Sequence, residues 1–187
     1  MKIALISPVA WQPRVDTKYH MILPHLLAQE TYRNSWHSRQ GFKILDNGAN
    51  EQIIISTGSL LTLGRSVNAN EIVVPDVLMN YESTISRARE FFADKRTREW
   101  ENGFMGVLQG DDKKQLLKCL ADYLQMNRIT SVAIPRLICG YMGNDARLEM
   151  AYAIREFTDL PIHCLGATTD IDEAARLDFQ NIVRGLD

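Results

Sequence analysis

Several short segments of the chain end an apolar run in residues able to do chemistry: Asp46-Asn47-Gly48-Ala49, Pro75-Asp76, Gln109-Gly110-Asp111, Pro135-Arg136 with Cys139-Gly140 just after, Leu165-Gly166-Ala167, and Asp187. Three of the runs deliver a carboxylate and a fourth a carboxamide. Carboxylates accept the N–H donors of a purine-type ring, and Gln or backbone N–H groups donate to its carbonyl. The neighbouring glycines let a planar ligand approach the backbone closely. A further carboxylate in the same place can attack a sugar C1′ as nucleophile. Each residue also has a plainer reading. Strand-end aspartates often cap helices or make turns, Gln109-Gly110 fits an ordinary turn, and Arg136 fits a rim position.

These residues can act together only if the elements bearing them end on one side. The runs 2–7, 42–46, 71–76, 104–109, 131–136, 161–166 and 181–187 are rich in Ile, Val and Leu, and several lack polar alternation, as parallel strands buried on both faces do. After the second run they recur about every 30 residues, the repeat of a βα unit. Helical spacing fills the gaps at 83–100, 111–126, 144–157 and 171–177. In 12–40, Tyr19, Leu23, Leu26 and Leu27 suggest one helix followed by an extended loop. Strand–helix alternation leaves a (β/α) barrel or a doubly wound sheet, and the absence of GxGxxG and GxxxxGK[ST] lowers the second. The expected fold is a (β/α)8 TIM-type barrel in one domain, 1–187. Seven strands are found, so the barrel is expected to be truncated or open.

Composition narrows the function classes. With 187 residues and 45% hydrophobic content the chain has enough apolar material for a substantial core, and a net charge of −2 argues against binding nucleic acid by bulk electrostatics. Cys119, Cys139 and Cys164 fit no CxxC or Cys/His spacing and read as core or pocket-wall residues. His20, His25 and His163 read as packing or surface residues, with His163 buried against a helix. No metal or other cofactor is expected. No run approaches the ~20 apolar residues of a membrane span, and the N-terminus opens a strand better than a signal peptide. The plain expectation is a cytoplasmic protein.

At these same residues the sequence resembles the tRNA-guanine transglycosylase superfamily, and is most similar to the phage and bacterial branch that inserts 7-deazaguanines into DNA. The resemblance is carried by Leu45-Asp46-Asn47-Gly48-Ala49-Asn50-Glu51, Val74-Pro75-Asp76-Val77-Leu78 and Gly106-Val107-Leu108-Gln109-Gly110. Ile134-Pro135-Arg136, Leu165-Gly166-Ala167, Arg184-Gly185-Leu186-Asp187 and the Tyr19-His20…Leu27 stretch support it. It spans nearly the whole chain in order, with no single motif persuasive by itself. It implies Asp46 as general acid or base and Asp187 as nucleophile at C1′. It places Asp76, Gln109, Gly110, Asn47 and Gly48 at the base, with Cys139 and Gly140 along the pocket, although the family's usual Gly-Gly there is not matched. The implied partners are DNA and a 7-cyano-7-deazaguanine-type base, with the target nucleotide extruded from its stack. The resemblance also implies the host cytoplasm if the chain is phage-encoded. A Cys/Cys/Cys/His zinc site, carried by the tRNA enzymes, has no counterpart spacing here.

Three alternatives stay open: the same exchange on tRNA, a non-catalytic barrel that binds a deazapurine or nucleic acid, alone or as a partner subunit, and an unrelated barrel lyase or aldolase. The last lacks its signature, since no strand end carries a Lys. Candidate nucleic-acid contacts are Arg14, Lys18, Arg33 and Arg39, with Arg136 at the rim. Lys95, Arg96 and Arg98 are further candidates, though interspersed Glu90, Asp94 and Glu99 also fit a solvated helix face.

Overall fold

The computed structural model describes residues 2–14, 17–166, 171–179 and 182–187. Eight strands pair in parallel: β1 (Lys2–Ile3), β2 (Tyr19–Ile22), β3 (Phe42–Leu45), β4 (Glu71–Val73), β5 (Gly103–Val107), β6 (Ser131–Pro135), β7 (Ile162–Leu165) and β8 (Gly185–Leu186). Their order in the sheet is β1-β8-β7-β6-β5-β4-β3-β2. The two end strands approach each other through a parallel bridge between Leu5 and His20, with the Leu5 and Met21 amides each 3.4 Å from a carbonyl across the seam. The sheet is thus a nearly closed barrel of TIM type.

The expectation of seven strands, and of a truncated or open barrel, is corrected here. The eighth strand is Tyr19–Ile22, taken from the sequence as helix because Tyr19, Leu23, Leu26 and Leu27 recur with helical spacing. Pro24 decides otherwise: a residue before proline is driven to extended backbone, and proline itself suits a first helical turn. Leu23 is extended, and Pro24 opens the short 3-10 turn Pro24–Ala28. The helix of this connection is α1 (Glu30–Ser38).

The remaining helices are α2 (Thr57–Ser66), α3 (Tyr81–Ala93), α4 (Lys113–Gln125), α5 (Cys139–Met142), α6 (Ala146–Arg155) and α7 (Ile171–Phe179). Ser56, Asn80 and Asp112 accept from the Ser59, Ser83 and Gln115 amides and so start α2, α3 and α4. The 83–100 helix breaks at Asp94, which caps the separate 3-10 turn Lys95–Glu99. The sequence pattern gives α2 no apolar stripe because two of its inward positions are glycines. A Cβ on Gly58 would strike Arg96, and one on Gly64 would strike Ile72 and Trp100.

Side-chain alternation along the strands builds two cores. Ala4, Tyr19, Met21, Ile44, Val73, Met105, Val107 and Ala133 fill the lumen, while Ile22, Leu45, Ile72, Phe104, Val132 and Ile162 pack outward under the helices. The end of the lumen formed by the strand N-termini is tied by ions. Arg184 lies 2.6 Å from Glu71, which also accepts from Ser131 Oγ at 2.6 Å. The Arg184 guanidinium stacks over the Tyr19 and Phe42 rings, 5.8 and 5.3 Å from their centroids.

The opposite end, where the strands finish, is braced by Arg147 on α6. Fully buried, it donates to both Glu173 oxygens of α7 at 2.7 Å and to the Leu165 and Gly166 carbonyls. Removing one partner of such a pair strands the other charge away from water. Arg147→Ala is expected to lower unfolding free energy by about 3–5 kcal/mol in urea melts, and a loss below about 1 kcal/mol would contradict this bracing role.

Candidate active site

Because every strand runs the same way, all eight C-terminal ends meet at one rim, the place where barrels carry their chemistry. A cavity of about 670 Å³ opens there, lined by Asp46, Gln109, Arg136, Cys139, Gly140 and Asp187 among the residues singled out from the sequence. Asn50, Glu51, Asn144 and Gly166 add polar wall, and Ile6, Met21, Leu23, Leu78 and Val107 add apolar wall. That volume and mixture suit a nucleoside-sized ligand.

Asp46 ends β3. Its carboxylate accepts the Gly48 amide at 3.3 Å in a turn that needs the positive φ of +80° at Gly48. Burial pushes its acid up to about 7. Hydrogen bonds from the Asn47 and Gly48 backbone pull the other way, and the charges of Glu51 and Asp76 add to the rise. Near neutral pH, Asp46 is therefore poised to hold or release a proton.

Asn47 and Asp76 lie behind this wall. The Asp76 carboxylate is buried and accepts from Asn47 Nδ2 at 2.6 Å and from Gln109 Nε2 at 2.5 Å. Asn47 Nδ2 also donates to the Val74 carbonyl, and the Gln109 carbonyl accepts the Met79 amide, both at 2.8 Å. This network bolts together the ends of β3, β4 and β5. Burial pushes the Asp76 acid up, against the two amide bonds that favour its charge. Asp76 and Asn47 line a separate recess of about 230 Å³ beside Ile53–Thr57 and Arg87. Both Asp76 oxygens accept from protein side chains, and the carboxylate borders the smaller recess rather than the main cavity wall.

Asp187 extends β8, its amide bonding the Cys164 carbonyl at 3.2 Å. Its Oδ1 is 2.9 Å from Nε2 of His163, which is fully buried, and its Oδ2 is 3.5 Å from the Gly166 amide. His163 points into the lumen, correcting the expectation that it packs against a helix. It is the neighbour of Asp187 that motif reading misses. The signal was available in the alternation of β7, which puts His163 on the same face as Leu165 and opposite Gly185 in register.

Other candidates are placed elsewhere or differently. Gly48 belongs to the turn and Gly110 to a packed corner, where a Cβ would sit 2.6 Å from Gln115 Cβ and the carbonyl accepts Tyr141 Oη at 2.7 Å. Cys139 is half-buried in the cavity wall with its thiol pushed up by burial, whereas Cys119 and Cys164 are core residues pushed up to about 12. Arg136 is exposed at the rim, on the cavity. Lys18 precedes β2 and so sits at the far end of the barrel. Arg14 ends a 3-10 turn, Val9–Arg14, whose Gln12 carbonyl accepts from Arg39 beyond the C-terminus of α1, which also leads it away from the rim. Lys95, Arg96 and Arg98 follow α3 and lie at that far end too, with Arg96 paired to Asp94. Ala167 lies outside the described residues. Among those described, no three His, Cys, Asp or Glu side chains gather as a metal site, and no helix is long and apolar enough to cross a membrane.

The sequence matches no family model, and comparison with curated proteins gives no match either.

A raised folded-state acid binds protons that the unfolded chain has released, so stability falls as pH rises from about 4 through about 7. Asp46→Asn removes that cost. The variant is expected to equal the wild type near pH 4 and exceed it by up to about 4 kcal/mol at pH 8. Equal stability at both pH values would contradict the assigned environment of Asp46.

Proposed function

We propose that the chain is a glycosyl-transferring barrel enzyme that works on the bond between a sugar and a nucleobase. More particularly, it exchanges guanine in DNA for a 7-deazaguanine-type base. The observation that carries this reading is the pairing of two unlike carboxyl groups on one nucleoside-sized cavity. Asp46 is tuned to keep a proton near neutrality, and Asp187 is hydrogen-bonded as an acceptor. A carboxyl group that holds a proton near neutrality can serve as the acid beside a second carboxylate that serves as nucleophile. The motif resemblance supplies the base and the polymer.

In the proposed reaction Asp187 attacks C1′ of an extruded deoxyguanosine as the C1′–N9 bond breaks. The departing base takes a proton from Asp46. The incoming base then returns a proton to Asp46 as its ring nitrogen attacks C1′ and expels Asp187. Asp76 acts from behind the wall by holding Gln109 and Asn47, and Arg136 at the rim meets the phosphate backbone. The process needs neither metal nor redox cofactor, and Cys139 and Gly140 form pocket wall.

The second reading is a binding-only barrel, in which the Asp76–Gln109 hydrogen bond is a structural brace alone. Incubation with duplex DNA or tRNA and labelled guanine or 7-deazaguanine separates the readings. Label is expected in DNA. Label in tRNA alone would change the polymer, and retention of free base without transfer would support the binding module. Asp187→Asn is expected to lower transfer about a thousandfold or more and Asp46→Asn about a hundredfold or more, with unchanged circular dichroism. Full activity of both would overturn the proposal.

A further inference from the structure

Inside the barrel, beneath the cavity, His163 is fully buried with Nε2 2.9 Å from Asp187 Oδ1. Its Nδ1 is also buried and has no hydrogen-bond partner among the described residues. The Nε2 position is the one that faces an acceptor, so an N–H there donates to the carboxylate. The ring is fixed by its surroundings. The Tyr19 ring lies 5.9 Å away, centroid to centroid, tilted by 45°. Opposite, a Cβ on Gly185 would fall 3.1 Å from His163 Nδ1 and 2.8 Å from Tyr19 Cε1, so glycine is what lets the imidazole and the phenol share the lumen. The paired register of His163 with Gly185 and Cys164 with Leu186 carries Asp187 to the next step of the ladder, above the imidazole.

We propose that His163 is the positioning residue for Asp187: its Nε2–H holds Oδ1 from within the barrel and leaves Oδ2, beside the Gly166 amide, as the atom presented to the cavity. The inference rests on the proposed base exchange and names a residue that the motifs do not. A single N–H donor suits the task because it fixes one carboxylate oxygen and leaves the other with its lone pairs available for attack. It also limits the rotation of a side chain whose displacement by 1 Å would cost much of the rate.

The test uses the wild type, His163→Leu, which removes the donor, and His163→Gln, whose side-chain amide supplies an N–H at similar reach. In steady-state exchange, His163→Leu is expected to lower kcat about 100-fold with KM little changed, and His163→Gln to recover most of that loss. A folded His163→Leu with kcat within twofold of wild type would overturn the inference, as would a folded His163→Gln no better than the leucine variant. Should His163→Leu fail to fold, the glutamine variant and nitrogen NMR decide. ¹⁵N spectra of the wild-type imidazole are expected to show a protonated, pyrrole-type Nε2 whose signal moves in Asp187→Asn. A proton on Nδ1 instead would overturn the inference whatever the turnover. A wild type that transfers no base at all fails the proposed function, while the NMR result still judges the His163–Asp187 pair.

Discussion

Parallel pairing of all eight strands is the constraint on which everything at the rim depends. Parallel neighbours require each connection to return to the starting end, so the strand C-termini collect at one mouth and the connecting helices wrap the outside. Asp46, Gln109, Arg136 and Asp187 are far apart in the sequence and share one cavity for this reason. The same geometry sends Lys18 and the Lys95–Glu99 turn to the other end. Closure relies on the short β1, which pairs with β8 and reaches β2 through the Leu5–His20 bridge.

Given that frame, the carboxyl groups of the mouth differ because their donors differ. Asp76 takes two side-chain amides and becomes part of the scaffold. Asp46, partly buried in the cavity wall, takes backbone donors from its own turn, and burial outweighs them so that its acid rises to about 7. Asp187 meets an imidazole from below. One residue type thus meets three different surroundings, and the proposed exchange draws on that difference for its acid and its nucleophile.

Much of the architecture is legible in the sequence, and the exceptions have causes. β3 through β7 announce themselves as apolar runs because both their faces are buried. β2 does not, since its four residues Tyr19-His20-Met21-Ile22 include two polar-edged rings, and the helical spacing of nearby leucines competes with them. α2 is obscured by Gly58 and Gly64, which thin its apolar stripe, and Gly64 sits in close contact with Ile72 and Trp100. The site is legible as a list of strand-end residues but not as a network. That Asp76 is satisfied by Asn47 and Gln109, and that His163 lies under Asp187, depends on rotamers and on lumen packing that no motif encodes. Buried Arg147 shows the same limit: its partner Glu173 is 26 residues away on another helix.

The central claim is that Asp187 forms a bond to the sugar while Asp46 handles the proton. Quenching the enzyme in denaturant during turnover on guanine-containing DNA, followed by proteolysis and mass spectrometry, tests it most directly. The account predicts a nucleotide linked to the peptide that bears Asp187, absent from Asp187→Asn. Base exchange that proceeds with no such linkage, or with the nucleotide on Asp46 instead, would contradict it.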